Sequence, residues 1–354
     1  MRWTVKRHAV CLLAVLSAMT FGAAAQTSAG RIGSAWERPA LQLRDPAHAV
    51  YLAAADAGGR LVAVGERGVI ATRERGEGAW HQQPSPTSVT LTAVQFVDAR
   101  DGVAVGHAGT VLTTLDGGQT WQLKLDGRRL SQIALDDAKA AGDPARIRDA
   151  ERLVADGPDK PLLDVLAWDA RHMLVVGAYG LAFHTADGGR TWQSWMGRLP
   201  NPRGLHLYAA RRQGNHLLLA GEQGLLLQSE DEGLTFKAVS APYKGSWFTA
   251  EMRSATEWLV AGLRGNVWRT ADAGATWQQL SNPIPAAVTA SKRLPDGAVL
   301  LANQAGFVLR VGAQSLQPLN PQPLPPLAGL ATDGDQRLWA LGMAGPVLIP
   351  AIRH

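Results

Sequence analysis

Cysteine is nearly missing from this 354-residue chain, and its one copy, Cys11, lies in an apolar run near the start. Past that run there is no thiol to form a disulfide, hold a metal or act as a nucleophile, so any fold must be held by its core. A strong charge of one sign is lacking too. The formal net charge is +5, but Arg2, Lys6 and Arg7 belong to the leading segment. Without them 32 basic residues face 30 acidic ones, a balance of +2. That gives a nucleic-acid partner little electrostatic support. Nor does any later stretch reach the ~20 apolar residues needed to cross a bilayer as a helix.

The leading segment has a recognisable layout. Basic Arg2, Lys6 and Arg7 precede an apolar run from Ala9 to Phe21, and Ala23-Ala24-Ala25 precedes Gln26. This predicts a secretory signal peptide over residues 1–25, cleaved after Ala25, and an exported, periplasmic protein.

Glycine, by contrast, is plentiful (Gly 38, with Pro 20), which points to short strands and many turns. One phrase recurs: an apolar pair followed by Gly-x-x-Gly. It reads AVGERG ending at Gly68, AVGHAG at Gly109, VVGAYG at Gly180, LAGEQG at Gly224 and VAGLRG at Gly265. LANQAG at Gly306 and ALGMAG at Gly345 complete the set. The first glycines, with Ala302 taken as the replacement in the sixth copy, fall at 65, 106, 177, 221, 262, 302 and 342. The steps are 41, 71, 44, 41, 40 and 40, a period near 41 with one insertion. Within a unit, runs such as LTAVQF, VAVG, TVLTT and TWQLKL alternate and end at glycine turns, the pattern of strands in hairpins. Seven four-stranded units predict an all-β, seven-bladed β-propeller over residues 26–354. A solenoid would need capping units, and none is visible. The seventh unit lacks a fourth strand, so Arg38–Leu43, beside Trp36, is expected to supply it and close the ring.

A second phrase follows the first. Thr114–Trp121 carries Asp116, Gly118 and Trp121, and Thr185–Trp192 carries Asp187, Gly189 and Trp192. Ser229–Phe236 carries Asp231 and Gly233, and Thr270–Trp277 carries Asp272, Gly274 and Trp277. An Asp that accepts backbone N–H groups, glycines that supply positive φ and a tryptophan that packs on the next sheet are all folding devices. One acid per turn is too few for a Ca²⁺ loop or an acid–base pair, so these residues are structural and no metal is expected.

This S/T-x-D-x-G-x-T-W pattern resembles the Asp-box, or BNR, repeat of sialidases, sortilin-like receptors and related propellers. With the preceding V-G-x-x-G it resembles the photosystem II stability/assembly factor family and its bacterial relatives. The first and sixth units, TRERGEGAW and RVGAQSL, depart from the pattern. The segment GPDKPLLDV (157–165) resembles a non-photosynthetic branch associated with envelope transporters of the resistance-nodulation-division type. The resemblance implies an exported, non-enzymatic scaffold without cofactor, whose partner is a protein in a membrane or envelope complex. The sialidase resemblance implies the alternative, a glycan-binding or glycan-cleaving propeller. That chemistry needs three arginines and a Tyr nucleophile with an acidic partner. Tyr51, Tyr179, Tyr208 and Tyr243 sit in no such setting, and no His pair has metal-ligand spacing.

Blade topology places the Asp turns on one face of the ring and the Gly-x-x-Gly turns on the other. The latter present Glu66, Arg67, His107, Tyr179, Glu222, Gln223, Leu263, Arg264, Asn303, Gln304 and Met343 as a varied surface on a rigid frame. The insertion, 126–161, reads as two helices broken at Gly142-Asp143-Pro144. Leu130, Ile133 and Ala134 share one face, and Ile147, Ala150, Leu153 and Val154 another. Its charged side, with Arg146, Arg148, Asp149, Glu151 and Arg152, is expected to overhang the variable turns. The candidate partner-binding set is Arg67, His107, Tyr179, Glu222, Gln223, Arg264, Gln304, Arg148 and Arg152, on an expected monomer.

Overall fold

The computed structural model describes residues 34–76 and 78–350, so the expected leader and its cleavage site lie outside the described residues. Seven antiparallel sheets follow one another, here numbered blades 1 to 7: 51–83, 91–125, 162–194, 207–238, 247–279, 288–318 and 327–349. Six have four strands in simple meander order and the seventh has three. The first strand of each blade lies beside that of the next, and that of blade 7 lies against that of blade 1.

The second strand of each blade explains why. Gly102–Gly106 and Met173–Gly177 are buried at every residue. A strand that is apolar on both faces needs cover on both faces, and here the neighbouring blades supply it. One cluster joins Val62, Val64 and Ile70 of blade 1 to Leu91, Leu112 and Trp121 of blade 2. Another joins Tyr51, Leu61 and Trp80 of blade 1 to Trp339 and Leu341 of blade 7. Blades 1 and 7 therefore meet through side-chain packing.

The N-terminal closing strand is not found. Residues 38–43 form no strand. Instead the Ala40 N–H donates to the Ser85 carbonyl, and the Gln82 side chain clamps the Leu43 N–H and the Leu41 carbonyl. The segment thus follows the outer strand of blade 1, with Leu41 77% exposed. Trp36 lies under the Arg128 guanidinium, 5.4 Å from its ring centroid, at the start of the insertion. Pro39, with no N–H, and the Gln82 clamp account for the failure of this stretch to join a ladder. The repeat register also needs one correction. Asn303, which pairs with Val288 as Gly221 pairs with Leu207, holds the first-glycine position of blade 6, and Ala302 does not. The first glycine is needed where it occurs because the start of the inner strand presses on it. A Cβ on Gly65 would lie 2.0 Å from the Val50 carbonyl oxygen.

The Asp turns are clasps. The Asp187 carboxylate accepts the Thr191 hydroxyl (2.6 Å), the Arg190 and Thr191 N–H groups (3.0 and 2.9 Å) and the Thr185 hydroxyl (2.9 Å). The Trp192 indole donates to the Gly189 carbonyl and packs among residues of blades 2 and 3. Asp116, Asp231 and Asp272 accept from their own Thr or Ser hydroxyls and backbone in the same way. Each of these carboxylates is thus bonded within its own turn. In blades 4 and 5 the first glycine of the turn is replaced by Glu232 and Ala273, which keep its positive φ of 58° and 55°.

The insertion forms α1 (Gly127–Ala141) and α2 (Pro144–Ala155), N-capped by Asp126 and Asp143 and separated by Gly142 at φ 68°. Leu130, Ala134, Leu135, Ala138, Ala150 and Leu153 are buried in the cluster that blades 2 and 3 share. Val154, expected on the packed face, is 40% exposed. The pair also does more than overhang the turns. The Asp137 carboxylate accepts the Ser194 N–H (2.6 Å), so α1 covers the short outer strand of blade 3. No helix among the described residues is long and apolar enough to cross a membrane.

Two outcomes test this frame. Trp192→Ala should lower unfolding free energy by about 3–5 kcal/mol in urea titrations, and Trp277→Ala, at a half-exposed site, by less. The second outcome concerns acid. The Thr235 and Thr276 hydroxyls, then backbone N–H groups, hold Asp231 and Asp272 down to about 2. A carboxylate depressed in the folded state contributes stability above its unfolded value of about 4, and loses it as pH falls toward 2. Melting temperature should therefore hold from neutral pH to about 5 and fall between 4 and 2. Asp272→Asn should shrink that fall.

Candidate partner-binding face

In blades 1, 3, 4 and 5 the Gly-x-x-Gly turns are single turns of 3-10 helix, and in these and in the blade 2 turn the third residue of the phrase is left-handed. Those residues are Arg67 (φ 55°), Ala108 (53°), Tyr179 (56°), Gln223 (53°) and Arg264 (58°). A non-glycine residue there costs about 1–3 kcal/mol. The four large ones are exposed, with Tyr179 at 52%. The chain thus holds large side chains outward at strained positions that glycine would fill at less cost.

A second regularity lies at the same end of the ring. Each inner strand has a register irregularity at its second residue, which leaves Leu52, Thr92, Leu163, Tyr208, Phe248, Thr289 and Ala328 unpaired. Bulges re-aim side chains, and in blades 4 and 5 the re-aimed residues are aromatic. Their rings continue a line from blade 3: Tyr179 to His206 (5.1 Å), His206 to Tyr208 (6.1 Å), Tyr208 to Phe248 (5.2 Å). Glu222 turns toward this line. Its carboxylate accepts the His206 backbone N–H (3.3 Å) and lies 3.0 Å from Nδ1, at ion-pair distance but without hydrogen-bond alignment. Burial first, then the Glu222 charge, push the Tyr208 hydroxyl up.

Beside Tyr179 opens a cleft of about 520 Å³ between α2, α1 and residues 194–204, the link from blade 3 to blade 4. Arg152, Lys160 and Arg203 lie along it, and the Lys160 ammonium sits 5.7 Å from the Tyr179 ring centroid. Arg203 also donates to the Gln223 amide oxygen (2.9 Å).

The structure therefore gathers Tyr179, Glu222, Gln223 and Arg152 around blades 3 and 4. Arg67, His107, Arg264 and Gln304 are exposed in the turns of blades 1, 2, 5 and 6, spread round the same face, and Arg148 is exposed on α2 but not in the cleft lining. Glu222 is only half exposed, being directed to His206. Asn303, grouped with the variable residues by the sequence, is fully buried, with its Oδ1 accepting the Phe307 N–H (2.9 Å). Sequence reasoning missed His206, Tyr208 and Phe248. A signal was present: aromatic residues at the second inner-strand position in two successive repeats.

The inner strands also carry a charged network. Arg211 binds Asp164 (2.6 Å) and lies 4.0 Å from Glu251, which accepts the Ser291 hydroxyl (2.7 Å). Its members come from blades 3, 4, 5 and 6, and it stitches them together. Among the described residues no three His, Cys, Asp or Glu side chains are grouped to hold a metal.

These features define a seven-bladed, Asp-box propeller with its varied, strained turns on one face. The chain belongs to the family described as photosynthesis system II assembly factor YCF48, whose model matches residues 144–350. Among solved structures, YCF48 from Cyanidioschyzon merolae is similar over 87% of this chain and 97% of that one, with 14% identity and a TM-score of 0.63. Streptogramin B lyase is similar over 89% of this chain and all of that one, at 12% identity and TM-score 0.64. Both show the shared fold. A structure described as YCF48 bound to D1 peptide matches at 23% identity and TM-score 0.44, covering 51% of this chain and 60% of that one. No curated protein matches the chain.

Strain and recognition should separate on mutation. Arg264→Gly relieves a left-handed residue whose side chain makes no hydrogen bond or ion pair among the described residues. It should raise unfolding free energy by up to ~1 kcal/mol in urea titration.

Proposed function

We propose that this chain is an exported, non-enzymatic propeller that binds a protein partner on its variable-turn face, as an assembly or accessory factor for a membrane or envelope complex. The observation that carries the reading is the set of exposed, left-handed Arg67, Tyr179, Gln223 and Arg264, beside an aromatic line that ends on the inner strands. Large, exposed and chemically varied side chains held at left-handed positions, where glycine would cost less, point to recognition on that face. Membership of an assembly-factor family agrees with it. The basic and apolar start of the sequence supports export to the periplasm.

The glycan-cleaving alternative fares less well on chemistry. A tyrosine nucleophile needs activation, whereas the Tyr208 hydroxyl beside Glu222 is pushed the other way. The Tyr179 ring packs against Lys160 and His206, and among the described residues no carboxylate is hydrogen-bonded to its hydroxyl.

Capture from a detergent-solubilised envelope fraction tests the reading. Arg67→Glu with Arg264→Glu should cut recovery of the retained membrane protein at least tenfold while the melting temperature holds. Equal recovery by native and doubly reversed protein would sink the proposed face. Recovery of the chain from the periplasmic fraction, beginning at Gln26, is the expected result for export.

A further inference from the structure

We infer that the cleft beside α2 is a receptor for an acidic residue with an apolar neighbour in an extended segment of the partner, and that Arg146 is the group that takes its carboxylate. The inference rests on the reading of this face as partner-binding, and adds the chemistry of what is bound.

Arg146 is half-buried, yet among the described residues its guanidinium has no ion pair and no hydrogen bond. Of the half-buried arginines in the blades, Arg60, Arg211, Arg212 and Arg337 are paired with Glu74, Asp164, Glu232 and Asp333, whereas Arg73 packs on the Trp339 ring and Arg310, like Arg146, has no ion pair among the described residues. A guanidinium withdrawn from water without a counter-ion gains most from an incoming carboxylate, because charge-assisted bonds strengthen as water is removed. The link is shaped around it. A Cβ on Gly197 would lie 2.3 Å from the Arg146 Cζ, so the guanidinium rests directly against that backbone.

The rest of the cleft divides by polarity. Ala134, Ala138, Ala150, Leu153, Met196 and Leu199 supply apolar surface. The charged groups are Arg146, Arg152, Lys160 and Arg203 on one side of the balance and Asp149 and Asp156 on the other. Lys160 is already tied to Asp159, and Arg203 to Gln223. Arg146 and Arg152 remain free to receive an anion. The cleft's positive excess and apolar floor together fit a Glu or Asp beside a Leu-like side chain.

Continuity supplies the extended form. Tyr179 borders the cleft and also starts the ring line to His206, Tyr208 and Phe248. At ~3.3 Å per residue, about five residues of extended chain cover that line. A segment with its acid in the cleft therefore lays the following residues over the aromatic rings.

Fluorescence polarisation with synthetic peptides tests this. The probes are heptapeptides of alternating Leu and Ser with one Glu at either end, and the same peptides with Gln. Native protein should bind the better Glu peptide roughly tenfold more tightly than its Gln counterpart. Arg146→Gln, with an unchanged melting temperature, should bring that ratio to near one. Arg171→Gln, at a residue exposed in the first hairpin turn of blade 3 and outside the cleft lining, should leave it in place. No preference in the native protein, or a preference that survives Arg146→Gln, overturns the inference. Envelope capture separates its failure from that of the face: loss with Arg264→Glu but not with Arg146→Gln overturns the cleft alone, and loss with neither overturns the face.

Discussion

Cover for strands that are apolar on both sides is the constraint on which the rest of this molecule depends. The second strand of a blade, such as Gly102–Gly106, has no solvent-facing side. A lone blade would leave it bare, so each blade requires two neighbours. Seven blades in a ring meet that need without a terminal unit, through clusters between every successive pair and between blades 7 and 1. With no cysteine past the leading segment, this packing and the turns that register it carry the stability.

The turns follow from that demand. Where the start of the inner strand presses on the end of the second strand, as at Gly65, a Cβ would clash with the backbone, although in blade 6 Asn303 holds that position. Where the third strand returns, an Asp carboxylate gathers the hydroxyls and N–H groups of its own loop and sets a tryptophan against the previous blade. One set of turns is thus occupied with holding the fold. The other set, on the opposite face, is free in its middle positions. There the chain keeps Arg67, Tyr179, Gln223 and Arg264 in a conformation that works against stability.

The insertion gives the ring a direction. A propeller of equal blades offers seven equivalent approaches, but α1 and α2 are anchored at blades 2 and 3 through Leu130, Leu153 and the Asp137–Ser194 contact. They raise one wall of a cleft whose other wall is the link 194–204. The aromatic line leaves that cleft and runs toward the inner strands of blades 4 and 5. This face is therefore polar and basic at the rim and aromatic toward the axis, an arrangement that suits the extended segment proposed above.

Much of this was legible in the linear order of residues, for a physical reason. Periodicity, glycine spacing and the Asp-box phrase are local codes for strands and tight turns, and their repetition at a period near 41 determines blade number, the place of the insertion and which turns share a face. What local code does not contain is the path of a segment with no repeat of its own. Whether 38–43 would join blade 7 or follow blade 1 was decided by Gln82 and Ser85, distant partners that no pattern announces. The same holds for the site. Tyr179 was visible as a turn residue, but its meeting with His206, Tyr208 and Arg152 depends on neighbouring blades and a helix pair brought together by the core. The sequence by itself determined the frame, because the frame is made of repeated short-range rules. Only the tertiary structure decided the cleft, because its walls come from the insertion, a turn and a link between blades that are separate in the chain and adjacent only once the ring has packed.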